Sequence, residues 1–313
     1  MEGTALRKNT LKQKQTAGYH AFNVLLYVFF VLFTLICVYP FYYLLINAIS
    51  ANDLSMNGQI LFIPKGIHFG NFAQITTLPG LWQSAFISVA RTVIGSVVAV
   101  MASAFLGFMF TQQKMWLRKV WYRLLIITMY FNAGLIPYYL IMVSLHLNNN
   151  FLAYILPAIV QPFNIILVKT YVESTPVALQ EAAEIDGAGT LRIFWKVVLP
   201  LCTPILATVA IFTAVGQWNS FQDTVILMTN QDLYPLQFTL YQYIHQAEAL
   251  ASIIQQLSSG GTLISAVAKA ATKQTPTSVR MTVSVVVVFP ILIVYPFFQR
   301  YFVKGLMIGS VKG

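Results

Sequence analysis

The sequence predicts an all-α integral membrane protein of one domain, residues 1–313, with six transmembrane helices. Three observations lead there. Only 9% of the residues are charged, 58% are hydrophobic and the mean hydropathy is +0.70. A soluble domain carries roughly a quarter charged residues, so this chain cannot clothe a water-facing surface. Uncharged runs of about 20 residues, enough to cross a hydrocarbon core of about 30 Å, recur along it. Alternating ten-residue segments, the mark of a membrane β-barrel, are not seen.

The first run, residues 22–49, exceeds the about 7–15 apolar residues of a signal-peptide core and has no small-residue cleavage site after it, so it is kept as an anchor. The second covers 84–110. The third and fourth, 124–144 and 151–168, are separated by HLNNN (146–150), a polar turn that continues neither helix. The fifth covers 197–227 and the sixth 281–303. The first and fifth exceed the bilayer's requirement, so they tilt or project.

Lys and Arg set the orientation. The tail (1–20), the 2–3 connection, the 4–5 connection and the C-terminal end hold 14 of them, against four on the other side (Lys65, Lys269, Lys273 and Arg280). The positive-rich side is expected in the cytoplasm, with both termini. The net charge of +10 therefore flanks membrane spans and does not point to nucleic acid. On the outer side, residues 50–83 contain FIPKGIHFGNF, and residues 228–280 form a long loop opening TNQDLYPLQFTLYQY. The latter is too apolar for a solvated linker, so a helical or re-entrant element is expected, with a flexible break at LSSGGT (257–262).

The cytoplasmic loop 169–197 departs from its surroundings. QEAAEIDGAG (180–189) holds three of the nine acidic residues. Thr175-Pro176 reads as a capped helix start, and Asp186-Gly187 reads as a helix stop. A second segment, 191–198, feeds the fifth span before Leu199-Pro200. A short helix with a small-residue face and carboxylates is suited to docking in a groove; an ordinary solvated amphipathic loop is the alternative.

Glu181-Ala182-Ala183, three residues, Gly187, nine residues, Val197, one residue, Leu199-Pro200 resembles the EAA loop of ABC-importer permeases, with Val197 where Ile is usual. QSAFISVARTVIGSVVAVMASAFLGF resembles the family's second-span region, with Gln83 where Asn is usual. WNSF (218–221) resembles sugar permeases, and the ending FPILIVYPFFQRYFVKGLMIGSVKG resembles the maltose-type second permease. Within that family the chain looks like the subgroup for polysaccharide fragments, including uronate-bearing oligosaccharides.

The resemblance implies the type I ABC importer permease fold in a bacterial cytoplasmic membrane, surrounded by lipid. It implies a homologous second permease, two copies of an ABC ATPase, a solute-binding protein outside the cell, and an oligosaccharide substrate. ATP and magnesium would belong to the ATPase, and this chain would bind no cofactor. Glu181 would meet a basic ATPase residue, Ala182 and Ala183 would allow close packing, and Gly187 would make the turn. Asp186, Leu199 and Pro200 complete that coupling set.

Other chemistry is not expected. No GxxxxGK[ST] phosphate loop is present, and the terminal GSVKG lacks the spacing. No HExxH or Cys/His cluster suggests a metal, and Cys37 and Cys202 lie singly in apolar runs. Sugars favour aromatic platforms with amide partners, which makes Tyr130, Asn132, Gln217, Trp218, Asn219 and Gln222 candidates for a substrate pathway. Arg91 is the sharper case, because an intramembrane charge is usually functional. Yet residues 92–113 already suffice to span, so Arg91 is expected to snorkel to the outer interface, with an acidic-sugar contact or an interhelical ion pair as alternatives. Asp223 is expected near the outer end of span 5. A secondary transporter, the main rival, would need coupling carboxylates at mid-membrane depth, and spans 1–4 and 6 contain no Asp or Glu.

Overall fold

Proline, glycine and small residues decide which crossings are continuous. The computed structural model describes residues 17–258 and 275–305, which form helices and turns with no strand among them. Among the described residues, three unbroken helices are long and apolar enough to cross a membrane: α1 (Ala17–Ala48), α4 (Leu81–Met109) and α14 (Pro276–Gly305), the last apolar over Pro276–Phe297. Between α1 and α4 lie two short helices, α2 (Asn52–Met56) and α3 (Gly70–Thr76).

The other three expected crossings are interrupted. Residues 124–144 form two helices, α5 (Arg118–Tyr130) and α6 (Leu135–Ser144). Phe131 is extended and Gly134 has φ +86°, a conformation that releases the chain from helical geometry. The fourth run begins as 3₁₀ turns at Phe151–Tyr154 and Leu156–Ala158, then bends by 44° into α7 (Pro162–Glu173). Pro157 and Pro162 lack the amides a continuous helix needs. α7 also passes the expected end at 168, so 169–173 belong to it and not to the loop.

The fifth run differs most. α8 (Ala178–Ile185) and α9 (Thr190–Ile193) precede a π-turn at Phe194–Val198 and α10 (Leu199–Leu201). The stretch Thr190–Leu201 then bends by 81° at Cys202 into α11 (Thr203–Asn219), with Pro204 in its first turn. The crossing therefore starts at Thr203, and residues 197–202 lie across its foot. A second break at Ser220 and Phe221 separates α11 from α12 (Gln222–Leu227). A 3₁₀ turn (Gln231–Leu233) and α13 (Leu236–Ser258) follow, so the described part of the long loop is mainly one helix. The tail before residue 17, most of LSSGGT, Lys269, Lys273 and the terminal GSVKG lie outside the described residues.

α4 organises the bundle. Gly95, Ala99, Ser103 and Gly107 recur every four positions and are all buried. Such a stripe lets helix axes approach closely where lipid removes the hydrophobic drive for association. A Cβ at Gly95 would sit 2.8 Å from Gln217 Nε2 on α11, and one at Gly107 would sit 2.8 Å from Val168 Cβ on α7. At one end of α4, Phe108, Val168, Val172, Phe194, Cys202 and Val209 share an apolar cluster. At the other end, the Leu236 amide donates to Ser88 Oγ (2.7 Å) and Gln83 Nε2 to the Asp232 carbonyl (3.1 Å). The 4–5 loop and the 228–258 region thus occupy opposite ends.

Candidate functional site

Two places gather the sequence-derived residues, one at each end of α11. The first is the α8 loop. Ser174 and Thr175 hydroxyls donate to the Tyr171 (2.7 Å) and Val172 (2.6 Å) carbonyls and so finish α7. Thr175 therefore closes the preceding helix; it does not cap the following one, whose cap position is held by Val177 with no side-chain cap hydrogen bond. At the far end of α8 the Ala188 amide donates to Ala183 O (2.9 Å) and the Gly187 amide to Glu184 O (3.0 Å). This is the Schellman pattern, with Gly187 at φ +78° as its left-handed residue.

α8 has two faces. Ala183 is half-buried against the Phe108–Val168–Phe194 cluster. Gln112 Nε2 donates to Gln180 Oε1 (3.1 Å), and Lys114 Nζ pairs with Glu184 Oε2 (2.7 Å). Those contacts fasten 180, 183 and 184 to the bundle. Ala178, Glu181, Ala182 and Ile185, spaced three and four apart, form the opposite face and are exposed. Ile185 is 87% exposed. Asp186 and Gly187 are exposed beside them, and a Cβ at Gly187 would meet nothing within 4 Å. Leu199 packs on the same cluster, while Pro200 is exposed. Phe194 is the anchor: its ring lies 5.4 Å from Phe105 edge-on and 5.6 Å from Phe108. Ala182 thus faces outward and Ala183 inward, a distinction the motif alone does not contain.

The second place is around Arg91, about 20 Å further along α11 at 1.5 Å per residue. Arg91 does not snorkel. It is 1% exposed and bridges α4 to both sides of the break after Asn219. Its Nη2 pairs with Asp223 Oδ2 at 2.7 Å, and Nη1 lies 3.5 Å from Oδ1. Nη1 also donates to the Ser220 carbonyl (3.1 Å), which the break leaves without a helical partner. Nε and Nη2 both donate to Gln217 Oε1 (3.2 and 3.1 Å), while Gln217 Nε2 donates to the Tyr154 carbonyl (3.2 Å). The guanidinium carbon lies 4.2 Å above the Tyr154 ring. A buried charge requires this degree of pairing, and the interhelical ion pair among the alternatives is the one realised.

Asp223 completes its own set by accepting from Ser220 Oγ (3.3 Å) and the Thr224 amide (3.2 Å). Its side chain is 17% exposed, and it opens onto a cavity of about 350 Å³ lined by Tyr138, Gln161, Phe212, Gln217 and Arg91 among others. Of the pathway candidates, only Arg91 and Gln217 line this cavity. Trp218 turns away and donates through Nε1 to the Val287 carbonyl (3.1 Å) on α14. Asn219 and Gln222 are exposed. Tyr130, 85% exposed, and Asn132, whose Oδ1 accepts from the Gly134 amide (2.9 Å), sit at the α5–α6 break. Asp223, Tyr154, Tyr138 and Gln161 were missed. The charge pairing was the available signal: Asp223 is the one carboxylate in the expected spans, and Arg91 lies well inside one, unlike Arg300 near the end of the sixth.

Comparison with known proteins gives consistent relatives. The sequence profile of a family described as "Binding-protein-dependent transport system inner membrane component" matches residues 99–308. The polygalacturonan/rhamnogalacturonan transport system permease protein YtcP of Bacillus subtilis is 32% identical over 292 residues, covering 93% of this chain and 98% of its own. The arabinooligosaccharides transport system permease protein AraQ of Halalkalibacterium halodurans is 29% identical over 294 residues, covering 92% and 96%. A chain from the crystal structure of a bacterial ABC transporter involved in the import of the acidic polysaccharide alginate superposes with a TM-score of 0.77 at 28% identity. It covers 92% of this chain and 98% of that one.

Proposed function

The chain belongs to the family of binding-protein-dependent transport system inner membrane components, and on that premise we propose that it forms half of a heterodimeric oligosaccharide pore driven through α8 by a separate ATPase. It is a multi-pass permease subunit of an ABC importer and not an enzyme; such subunits work with a second permease, an ATPase and a solute-binding protein. Family membership does not favour the secondary transporter. On our reading the second permease is homologous, two ATPase copies bind below, and ATP and magnesium reside in them. The α8 end and both termini then face the cytoplasm.

The observation that carries the coupling role is the two-faced α8. One face is fastened to the bundle at Gln180, Ala183 and Glu184, and the other presents Ala178, Glu181, Ala182 and Ile185 bare. Burying an isoleucine contributes roughly 1.5–3 kcal/mol, whereas a rim ion pair contributes about 0–1 kcal/mol. Ile185 should therefore dominate affinity for an apolar groove, with Glu181 orienting the helix. Motion of α8 would pass through Ala183 and Phe194 into α4, α7 and α11, which share one cluster.

For cargo, the named activities of the relatives support polysaccharide fragments, with acidic ones prominent. Arg91 is already matched by Asp223, so its guanidinium is not a free cation for a uronate. Tyr138, Gln161 and the open side of Asp223 are instead suited to sugar hydroxyls. The test is reconstitution in vesicles with the second permease, the ATPase and the binding protein. ATP-dependent uptake of an oligogalacturonate or oligoalginate supports this reading; equal uptake without the ATPase contradicts it.

A further inference from the structure

We propose that residues 59–65, at the membrane end opposite α8, form a strap embedded in the lipid interface, with Leu61, Phe62 and Ile63 against the acyl chains and Lys65 reaching the headgroups. The first support is how the backbone is satisfied. Asn47 Nδ2 donates to the Ile60 carbonyl (3.2 Å), Tyr39 Oη to Leu61 O (3.1 Å) and Tyr42 Oη to Phe62 O (2.6 Å). The Lys65 amide donates to Ser50 Oγ (3.2 Å), and the Ala51 amide to Lys65 O (2.9 Å). Water would serve a solvated loop's carbonyls. In lipid such groups are satisfied within the protein, and here α1 and its end partner the carbonyls of Ile60, Leu61, Phe62 and Lys65, the first three from side chains.

The second support is where the side chains go. Ile60 is buried beneath the strap, but Phe62 is 67% and Ile63 71% exposed, and Leu61 is exposed beside them. Val38 and Phe41 of α1, next in sequence to the tyrosines that hold the strap, are exposed too. The third is depth. Counted from Phe22, about 20 residues fill the hydrocarbon core and bring α1 to its far boundary near Phe41. Tyr39 and Tyr42 bracket that level, where tyrosines concentrate in membrane proteins. The Phe62 ring lies 5.8 Å from the Tyr39 ring, so the strap reaches back along α1 to the same level. Tyr39 is about 13 Å below the helix end at 1.5 Å per residue. Residues 59–65 contain no acid, and exposed Lys65 can snorkel to phosphates. Gly58 (φ +68°) and Gly66 (φ +64°) turn the chain at either end, and a Cβ at Gly66 would meet Ala51 Cβ at 2.9 Å.

The test uses the full chain, assembled with its second permease in nanodiscs of phosphatidylethanolamine and phosphatidylglycerol, in a Cys37→Ser background. Spin labels at Leu61→Cys and Ile63→Cys should collide more with oxygen than with a water-soluble nickel chelate, and a label at exposed Asn57→Cys should show the reverse. A nickel-dominated response at 61 and 63 overturns the proposal in favour of a solvated loop. Suppressed collision with both reagents overturns it in favour of a protein cover, such as the second permease. Ile63→Trp gives an independent reading: its added fluorescence should be quenched by brominated lipid and spared by iodide, and the opposite pattern overturns the proposal.

Discussion

Asp223→Ala should damage the protein more than Arg91→Gln, although both break the same ion pair. The two side chains differ in what they can do alone. Arg91 is 1% exposed, and its guanidinium offers donors only, so it depends on acceptors within the protein. Without Asp223 it retains only Gln217 Oε1, the Ser220 carbonyl and the Tyr154 ring. Asp223 without Arg91 is 17% exposed to the cavity, keeps Ser220 Oγ and the Thr224 amide, and can be hydrated from the cavity. Breaking a buried pair from one side costs about 3–5 kcal/mol because a charge is left uncompensated. Asp223→Ala belongs at the top of that range and Arg91→Gln at or below the bottom. Arg91→Gln with Asp223→Ala should recover part of the loss. The assay is the midpoint temperature for loss of the monodisperse assembled complex by size-exclusion chromatography after heating, scored as a double-mutant cycle. Additive effects, or an Asp223→Ala variant as robust as the parent, would refute the claim that this pair staples the broken fifth crossing to α4.

The remaining expectations concern glycines and the coupling helix. Gly187→Asp places an ordinary residue at φ +78°, a strain of about 1–3 kcal/mol. Because none of the described residues lies within 4 Å of that Cβ, the variant should still insert and pair with the second permease while ATPase co-purification falls. Gly107→Leu drives a side chain into Val168 and the Lys169 backbone, an overpacking cost of about 1–3 kcal/mol or more, so thermal robustness should drop even without partners. Gly95→Ala should push Gln217 off Arg91 and weaken the staple by less than Asp223→Ala does, again read by the heating midpoint. Lys114→Glu should leave stability nearly unchanged, because its pair with Glu184 is exposed and contributes about 0–1 kcal/mol.

The sequence identifies the helices whose apolar runs are unbroken and loses those whose continuity is decided by neighbours. α1 carries Pro40 and α14 carries Pro290 and Pro296, yet both remain helical. Pro157, Pro162 and Pro204 sit at bends of 44° and 81°. The ring is the same in all six, but Pro157, Pro162 and Pro204 stand in the first turn of a helix and the other three inside one, so the proline alone does not tell a bend from a continuous helix. The Gly187 stop was legible because a left-handed residue ending a helix is a local matter. The faces of α8 were half legible: its small residues were evident, but which alanine turns inward depends on Phe194 and Val168, outside the motif. Arg91 and Asp223 are 132 positions apart, and counting residues from the membrane edge put both at the periphery. The four-residue spacing of Gly95, Ala99, Ser103 and Gly107 was a readable sign that α4 lies at the centre of the bundle.

The central claim is that the bare face of α8 is where the ATPase grips the chain. A photo-crosslinking residue at Ile185, in membranes containing the whole importer, tests it directly. The account predicts a crosslink to the ATPase that changes in yield with ATP, while the same residue at Trp82, exposed near the opposite end of α4, gives none. Crosslinking of position 185 to the solute-binding protein, or equal ATPase crosslinking from position 82, would contradict it.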